Sequence, residues 1–514
     1  MSPESGAVKV ASDSEIIIEF SEPVDEASLA ASIFVSPSEE KLNYKVRGRR
    51  LIIKPQGGIP VDRPMTVTIG SGVKDLHGNA LPISTSFAFT AGDSIRGGNI
   101  AGRIYGDPPY SGMLVGAWLY SDSLVVAPDT ILAQYITQSG EFGEYILSYL
   151  PEGEYRVLCW DDKNRDKFFQ PGSDRLGIAP KDVTVLADST VLLDLYAEKR
   201  DTTTLSPLLI SVVDDHHLKI RFSKYPNNFS TGTFNNLKMT DSSGNALDLR
   251  SSWLDPSDSS RVTFLTAGQI KDMPYEAVLE MNLAAVKAGD TTLFEFVGSP
   301  QIDTAAPALV RSDPAENSKD VALKPQGVLY FDDLIEGDSL LSSITLTVQD
   351  TLNISLTTSG GTANSLKWSS KETVTPGARC LLTVDLTKIF DSQGNVAGDS
   401  VKTFFFTTID PAGKGEISGQ VVATNQNYYV VSAWKVGKNR SEMIKTQVNE
   451  DGGFKLNNLT PGEYGLWCWK SLDAVKFNAG NLDPFRHCDN FTFLQDTITV
   501  RARWESGGVI LRLP

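Results

Sequence analysis

The sequence has little cysteine, no basic excess and no long apolar run, and each shortage excludes a class of protein. Four cysteines in 514 residues are too few for a disulfide-based scaffold. A net charge of −16 provides no basic stripe to neutralise phosphates, so we expect no nucleic-acid partner. No run of about 18 apolar residues is present to span a bilayer. Long stretches of Ala, Leu, Glu and Lys are also missing, which argues against long helices.

Turn-forming residues are what the sequence has in quantity. It contains 42 Gly and 26 Pro, with many Ser, Thr and Asp. This composition is typical of many short strands joined by turns. We therefore predict an all-β protein of several domains, with helix confined to short turns near residues 25–33 and 337–344.

One internal repeat relates the N-terminus to a later segment. Residues 3–35 align with residues 314–346 without a gap, at a constant offset of 311 (residue 3 against residue 314). Both copies later reach a similar turn, DLHGN at 75–79 and DSQGN at 391–395, and then an aromatic strand. A diverged third copy is predicted in 201–303, where SPLLISVVDDHHLKIRFSK has the same pattern.

A second repeat lies between and after these copies. YLPEGEYRVLCW at 149–160 matches NLTPGEYGLWCW at 458–469, and the alternation of apolar residues predicts a half-buried strand entered from a Pro-Gly turn. The two repeats together predict five β-sandwich domains, with these boundaries: 1–93, 94–200, 201–303, 304–411 and 412–514.

These motifs resemble two known domain families. FSEPVD (20–25), GVKDLHGN (72–79) and FAFT (87–90) resemble the bacterial Ig-like domain of surface-layer proteins. The second repeat resembles the transthyretin-like, or carboxypeptidase-regulatory-like, β-sandwich. Their alternation is similar to Ig-like domain-containing lipoproteins of Bacteroidetes.

The resemblance implies tandem Ig-like and transthyretin-like β-sandwiches and an extracytoplasmic location, at the outer membrane or cell surface. Family members open with a signal peptide and a lipid-modified Cys, whereas Met1 stands inside the first repeat. We therefore expect that a targeting segment was lost, and that any membrane attachment ran through that N-terminal anchor.

Gly337-Asp338-Ser339-Leu340 spells the nucleophile motif of a family of serine esterases. However, Ser339 aligns with Ser28 inside the first repeat, in a short connection after a strand. A nucleophilic serine also needs a base and a group that orients the base. The chain has only four His, and the esterases' terminal Asp-x-x-His is missing. We therefore predict that the protein is not an enzyme.

One acidic loop has the pattern of a calcium ligand set. Asp162, Asn164 and Asp166 offer oxygens at alternate positions, as short calcium-binding loops do. Against this, Lys167 stands where a glycine would allow the sharp turn, and the second copy lacks the set. The alternatives are a calcium site or a solvated acidic loop, with no other cofactor expected. His216-His217 is not expected to share a metal, because adjacent strand residues point to opposite faces.

Tryptophans concentrate in the two second-repeat domains. The domain 412–514 has 12 Lys and Arg against 10 Asp and Glu, whereas the whole chain carries −16. We hypothesise that its tryptophans contact a protein or glycan at the cell envelope; the alternative is core or inter-domain packing. The residues concerned are Trp434, Trp467, Trp469 and Trp504. Cys468 either pairs with Cys488 or is a buried free thiol.

Two functions follow from these observations. The first is a non-enzymatic extracytoplasmic multidomain protein for surface assembly, adhesion or partner binding. The alternative is a carbohydrate-binding cell-surface protein, with a transthyretin-like domain that recognises the sugar. The motifs specify the fold better than the activity, because one fold serves many functions.

Overall fold

The chain is all-β in a computed structural model that describes residues 1–37, 43–121, 125–200, 206–225, 237–280, 291–336, 340–360, 364–423, 428–437, 443–471 and 477–513. Within these ranges the only α-helix is α1, Glu26–Leu29, and 3-10 turns occur at Leu340–Ser343, Leu386–Lys388 and Pro411–Gly413. None of these helices is long or apolar enough to cross a bilayer. The predicted all-β fold and the short helical turns are confirmed.

The chain divides into two compact units. Unit 1 comprises Met1–Thr202 together with Lys414–Pro514, and unit 2 comprises Thr203–Gly413. Unit 1 is therefore built from two stretches of chain that are far apart in the sequence.

The first domain is a sandwich of two three-stranded sheets, β1-β4-β3 and β2-β5-β6. Burial alternates along the paired strands, so that Ile16 lies opposite Ile53 and Ile18 opposite Leu51, with all four side chains buried. This alternation places one face of each sheet in the core. The strands are β1 Ile16–Glu19, β2 Ile33–Ser36, β3 Tyr44–Arg47, β4 Arg50–Ile53, β5 Met65–Ile69 and β6 Thr85–Phe89.

The second domain forms one continuous sheet in the order β10-β7-β15-β12-β11-β8-β9, with β13 paired to β11 and β14 paired to β7. Both β14 and β15 run parallel to β7. The strands are β7 Gly98–Gly106, β8 Leu114–Leu119, β9 Tyr135–Gln138, β10 Glu144–Leu150, β11 Gly153–Trp160, β12 Arg175–Ile178, β13 Val183–Val185, β14 Thr190–Leu192 and β15 Leu195–Lys199.

Unit 2 contains the segments predicted as the third and fourth domains, and the five domain boundaries stay a prediction. The third has the strands β16 Pro207–Val212, β17 His217–Phe222, β18 Leu237–Asp241, β19 Leu249–Leu254, β20 Arg261–Thr266, β21 Pro274–Glu280 and β22 Thr291–Val297. The fourth has β23 Leu309–Asp313, β24 Ser318–Val321, β25 Gln326–Phe331, β26 Ile344–Val348, β27 Leu352–Ile354, β28 Leu356–Gly360, β29 Ser365–Ser370, β30 Arg379–Asp385 and β31 Val401–Thr408.

Strand order identifies the third domain as a copy of the first. The orders β17-β20-β19 and β18-β21-β22 repeat β1-β4-β3 and β2-β5-β6 of the first domain. The fourth domain has the same two orders in β25-β29-β28 and β26-β30-β31. The sequence pattern detected in 206–224 therefore corresponds to a shared topology.

The same hydrogen-bonded turn occurs in all three copies. Asp75 Oδ1 accepts from the backbone N–H groups of His77 and Asn79, and the Asn79 side chain donates to Asp75 Oδ2. Asp241 with Asn245 and Asp391 with Asn395 repeat this arrangement. A carboxylate that accepts backbone N–H groups two and four residues later stabilises a tight turn.

The fifth domain repeats the topology of the second. β32 pairs antiparallel with β35 and parallel with β41, just as β7 pairs with β10 and β15 in the second domain. Likewise, β36 pairs with β33, β39 and β40, just as β11 pairs with β8, β12 and β13. Its strands are β32 Gly415–Val422, β33 Tyr429–Lys435, β34 Ile444–Gln447, β35 Gly453–Leu459, β36 Gly462–Lys470, β37 Asn481–Leu482, β38 Phe485–Arg486, β39 Phe491–Phe493, β40 Ile498–Val500 and β41 Glu505–Arg512.

Candidate functional site

The loop predicted to bind calcium follows β11 and is held by its own hydrogen bonds. Asp166 Oδ2 accepts from the side chains of Asn164 (2.7 Å) and Gln170 (3.0 Å), and its Oδ1 accepts from the backbone N–H of Phe168. Asp162 Oδ1 accepts from the backbone N–H of Lys167, while its Oδ2 is buried without a hydrogen-bond partner. Burial raises the pKa of Asp162. Calcium binding at this loop stays a prediction.

Lys167 gives the loop a structural role in unit 1. Its Nζ donates to the carbonyl of Ile33 in the first domain at 3.2 Å and lies 5.2 Å from the ring centre of Phe34. Phe34 in turn belongs to the hydrophobic cluster of the second domain that contains Trp118 and Trp160. The lysine that weakens the calcium pattern thus joins two domains.

The fifth domain's tryptophans fall into two groups. Trp467 and Trp469 are 6% and 1% exposed, and their rings lie in one hydrophobic cluster with Phe491 and Phe493. Trp434 packs edge-on against Phe493, with ring centres 5.9 Å apart. Trp504 is 70% exposed. Trp467 and Trp469 are therefore packed inside unit 1, and Trp504 is the exposed ring among the four. Partner binding by these tryptophans stays a prediction.

The buried rings form an aromatic seam between the second and fifth domains of unit 1. Tyr105 stacks on Phe493 with ring centres 4.3 Å apart, and Tyr196 stacks on Trp467 at 5.1 Å. Tyr105 and Tyr196 are cross-strand partners on β7 and β15, as Trp467 and Phe493 are on β36 and β39. Two cross-strand pairs therefore face each other.

A polar cluster flanks this seam. Arg156 makes two hydrogen bonds to Asp182, at 3.0 and 2.7 Å, and its guanidinium lies 3.8 Å from the ring centre of Phe485. His487 Nε2 lies 3.6 Å from Asp182. Burial raises the pKa of Asp182, whereas the interactions with His487 and Arg156 lower it. The lowering effects together outweigh the effect of burial, so the pKa of Asp182 lies below its usual value. Its hydrogen bond with Asp182 raises the pKa of His487.

The four cysteines are all free and buried. Cys468 lies in the main core of the fifth domain, whereas Cys488 lies in the aromatic cluster with Trp467 and Trp469. The two thiols therefore face different parts of the domain, and the free-thiol alternative is the one observed. Burial raises the pKa of the Cys468 thiol to about 12.

Ser339 lies outside the described residues, whereas Ser28, the residue at the equivalent position of the first repeat, lies within them. Ser28 is buried in α1, and its Oγ donates to the carbonyl of Asp25 at 2.6 Å. The same oxygen accepts from the backbone N–H of Lys74 at 3.0 Å. The serine at this repeat position joins two backbone segments of the first domain.

The cluster that sequence reasoning missed lies in unit 2, around His217 at the start of β17. His217 Nδ1 bonds to Asp214 Oδ2 at 2.9 Å, and Nε2 bonds to Asp333 Oδ1 at 3.0 Å. The side chain is 5% exposed. Burial opposes the charge on His217, but the hydrogen bonds with Asp214 and Asp333 raise its pKa to about 10. Through these two hydrogen bonds His217 connects the third and fourth domains.

Two further carboxylates, those of Asp303 and Asp391, converge with that of Asp333 beside this histidine. Asp303, Asp333 and Asp391 each bring an oxygen within 4.8 Å of the others. Asp303 and Asp391 are buried, and the Asp333 side chain is 13% exposed. Asp303 Oδ1 accepts from the backbone N–H of Ala305, whereas its Oδ2 has no hydrogen-bond partner. Burial raises the pKa of Asp303. The neighbouring His216 bonds to a different carboxylate through its ring, since its Nδ1 lies 2.9 Å from Asp215 Oδ1.

Part of this cluster could have been found from the repeat. Asp333 aligns with Glu22 at the offset of 311, and Asp391 is the turn carboxylate equivalent to Asp75. Glu22 and Asp75 also lie together in the first domain, beside His77, but Glu22 is exposed there. The repeat thus predicts the proximity of Asp333 to Asp391, but the pattern says nothing about their burial.

The family comparison decides the identity of the first repeat. Residues 1–91 and 303–408 match the family model of the bacterial Ig-like domain. The resemblance inferred from FSEPVD and its neighbours is confirmed for these two domains. The transthyretin-like resemblance of the second and fifth domains stays a prediction. No curated protein matches the chain.

Solved structures with similarity to the chain include proteins of several kinds. The bacterial S-layer protein SbsC, N-terminal part, is 12% identical over 40% of this chain and 44% of its own, with a TM-score of 0.18. A Bacteroides ovatus glucan-utilisation protein, SGBP-B, in complex with a heptasaccharide, is 10% identical over 90% of this chain and 99% of its own, with a TM-score of 0.20.

The L,D-transpeptidase LdtMt1, in complex with imipenem, is 13% identical over 26% of this chain and 55% of its own, with a TM-score of 0.16. The chain thus spans about half the length of LdtMt1 and of the SbsC fragment. Identities and TM-scores this low carry no conclusion about activity or ligand.

Proposed function

We propose that this chain is a non-enzymatic, extracytoplasmic multidomain protein that serves surface assembly, adhesion or partner binding at the cell envelope. The observation that carries the proposal is the pair of bacterial Ig-like domains at 1–91 and 303–408. The packing inside unit 1 supports it, because three β-domains joined by aromatic and polar contacts form a scaffold that carries binding surfaces on its loops. Protease treatment of intact cells tests the location: we expect cleavage of this chain while a cytoplasmic marker stays intact, and protection until lysis would contradict it.

The structural role of Ser28 supports a non-enzymatic function. Both hydrogen bonds of the Ser28 hydroxyl go to backbone groups, and Ser339 occupies the equivalent repeat position. We therefore expect purified protein and the Ser339→Ala variant to hydrolyse ester substrates at the same background rate. Turnover by the wild type that the variant loses would establish a hydrolase.

Glycan binding is the second candidate, and one observation favours it. Trp504 is 70% exposed in a domain whose other tryptophans are buried or partly buried, and an exposed indole presents an apolar face on which a sugar ring packs. We expect Trp504→Ala to remove binding in a glycan array, whereas Phe142→Ala, which removes a 66% exposed ring from the second domain, leaves it unchanged. An empty array, with protein partners captured in a Trp504-dependent way, would favour protein binding.

A further inference from the structure

We propose that the carboxylates of Asp303, Asp333 and Asp391 bind one hard divalent cation at the junction between the third and fourth domains of unit 2. One oxygen from each residue lies within 4.8 Å of the other two. Asp303 and Asp391 are buried, and Asp333 is partly buried. Ligand oxygens lie about 2.3–2.6 Å from a bound calcium ion, so separations of this size place them around one ion. This proposal goes beyond the binding function inferred above.

The unpartnered oxygen of Asp303 points independently to a ligand. The Asp303 side chain is 1% exposed, and its Oδ2 accepts no hydrogen bond. This oxygen faces the cluster, since it lies 3.7 Å from Nδ1 of His217, a nitrogen already bonded to Asp214. A buried carboxylate oxygen that accepts no hydrogen bond is costly, because the hydrogen bonds that it made to water have not been replaced. The His217 nitrogen at 3.7 Å is too distant to replace them. A cation at the cluster would satisfy it.

The charge balance of the site favours a cation as well. Four carboxylates lie in this cluster: those of Asp214, Asp303 and Asp333 lie beside His217, and that of Asp391 lies beside Asp303 and Asp333. One histidine can offset at most one of these charges. Among the described residues, no Lys or Arg forms an ion pair with any of the four. An excess of buried negative charge is unfavourable unless a counter-charge lies close by. A divalent ion would neutralise most of the excess.

The chemistry of the ligands indicates which class of ion fits. Both nitrogens of His217 bond to carboxylates, so the imidazole has no lone pair to offer and the ligand set is oxygen only. Oxygen ligands select calcium, magnesium or manganese over zinc and copper. The turn at Asp391 fixes its carboxylate through the N–H groups of Gln393 and Asn395, which reduces the ordering needed on binding.

A bound ion would fix the third domain relative to the fourth. Asp303 belongs to the linker, Asp333 follows β25 and Asp391 belongs to the turn before β31, while Asp214 lies just before β17. An ion that binds this arrangement only in the folded state stabilises it by mass action.

The test uses the full chain after removal of metal with EGTA. We expect Ca²⁺ to raise the melting temperature of the full chain by several degrees. In titration calorimetry we expect binding of Ca²⁺ to a site formed by these three carboxylates. Asp303→Asn should lose both effects. Glu22→Gln, which removes the equivalent carboxylate from the exposed position in the first domain, should keep both. Asp162→Asn should also keep both, which separates this site from the acidic loop of the second domain.

A direct readout covers the case in which Asp303→Asn fails to fold. Trp253 lies beside the cluster, with its ring centre 6.2 Å from that of His217, so Tb³⁺ bound there should emit when tryptophan is excited, and Ca²⁺ should displace it. Three results would each overturn the proposal: no calcium shift in the wild type, a shift that Asp303→Asn retains, or terbium emission that calcium leaves unchanged. Loss of the shift in Asp162→Asn alone would place the ion in the other loop.

Discussion

The ring of Tyr196 stacks on the indole of Trp467, with ring centres 5.1 Å apart and planes 14° from parallel. Tyr196 lies on β15 of the second domain and Trp467 on β36 of the fifth, so the contact joins the two copies of the second repeat. In the sequence, the residues of unit 2 lie between these two copies. Arg200 strengthens the same junction, because it donates to the carbonyls of Ala479 and Gly480, both at 2.7 Å. The last domain is therefore packed against the second.

The first prediction concerns this seam. Trp467→Ala should destabilise the contact between the two domains by about 3 kcal/mol, because it removes a large buried ring and leaves a cavity. Cys488 lies in the same cluster, so its alkylation rate reports local opening of this contact. We expect the alkylation rate of Cys488 to increase on the order of a hundredfold in the Trp467→Ala protein. Cys380, which is in unit 2, serves as the internal reference.

Trp504→Ala is the matched control for this substitution, since that ring is 70% exposed. Trp504→Ala should change the free energy of unfolding by less than about 0.5 kcal/mol, so the alkylation rate of Cys488 should stay close to that of the wild type. Equal labelling of Cys488 in the Trp467→Ala protein and the wild type would show that the seam contributes nothing to the stability of unit 1.

The second prediction is a pH dependence that originates in His487 and Asp182. The pKa of His487 is raised in the folded protein, so its contribution to stability is complete below the unfolded pKa of about 6.5 and is lost as the pH rises through the folded value. The pKa of Asp182 is lowered, so its contribution is present above the unfolded value of about 3.9 and is lost as the pH falls through the folded value.

Thermal unfolding of the wild type and of His487→Gln over a pH series measures this contribution as a difference. The difference should be largest on the acidic side of neutral and should shrink toward alkaline pH. His77→Gln, at a side chain that is 81% exposed, should follow the wild type. A difference between the wild type and His487→Gln that is constant across the range would exclude the ion pair as its cause.

The third prediction tests the repeated turn of the Ig-like domains. Gly78 has φ +89° and no atom within 4 Å of an added Cβ, so Gly78→Ala should cost about 1 kcal/mol through backbone strain alone. Gly57 in the same domain is equally open but has no φ in the left-handed region, so Gly57→Ala should be neutral or slightly stabilising. The midpoints of urea unfolding of the two variants test this prediction. Identical midpoints for Gly78→Ala and Gly57→Ala would mean that the conformation of the turn at Gly78 puts no strain on an alanine.

Periodicity and repetition were enough to predict most of the fold. Alternating apolar residues predicted the strands, because a half-buried strand has a period of two, and the offset of 311 predicted two copies of one domain, which the family match confirms. The repeat also identified Ser28 and Ser339 as equivalent positions. These signals are local in the sequence or recur along it, so they require no knowledge of which surfaces meet.

The sequence by itself predicted the alternation of apolar residues along the strands that became β11 and β36, and it placed Trp467 and Trp469 on one strand face opposite Cys468. Only the tertiary structure decided that this face is covered by Tyr105 and Tyr196, because the amphipathic pattern of a strand is the same whether a partner protein or another domain buries it. The meeting of His217 with Asp333 was likewise undetermined, since their proximity depends on how two domains pack, and inter-domain packing leaves no periodic signal in the sequence.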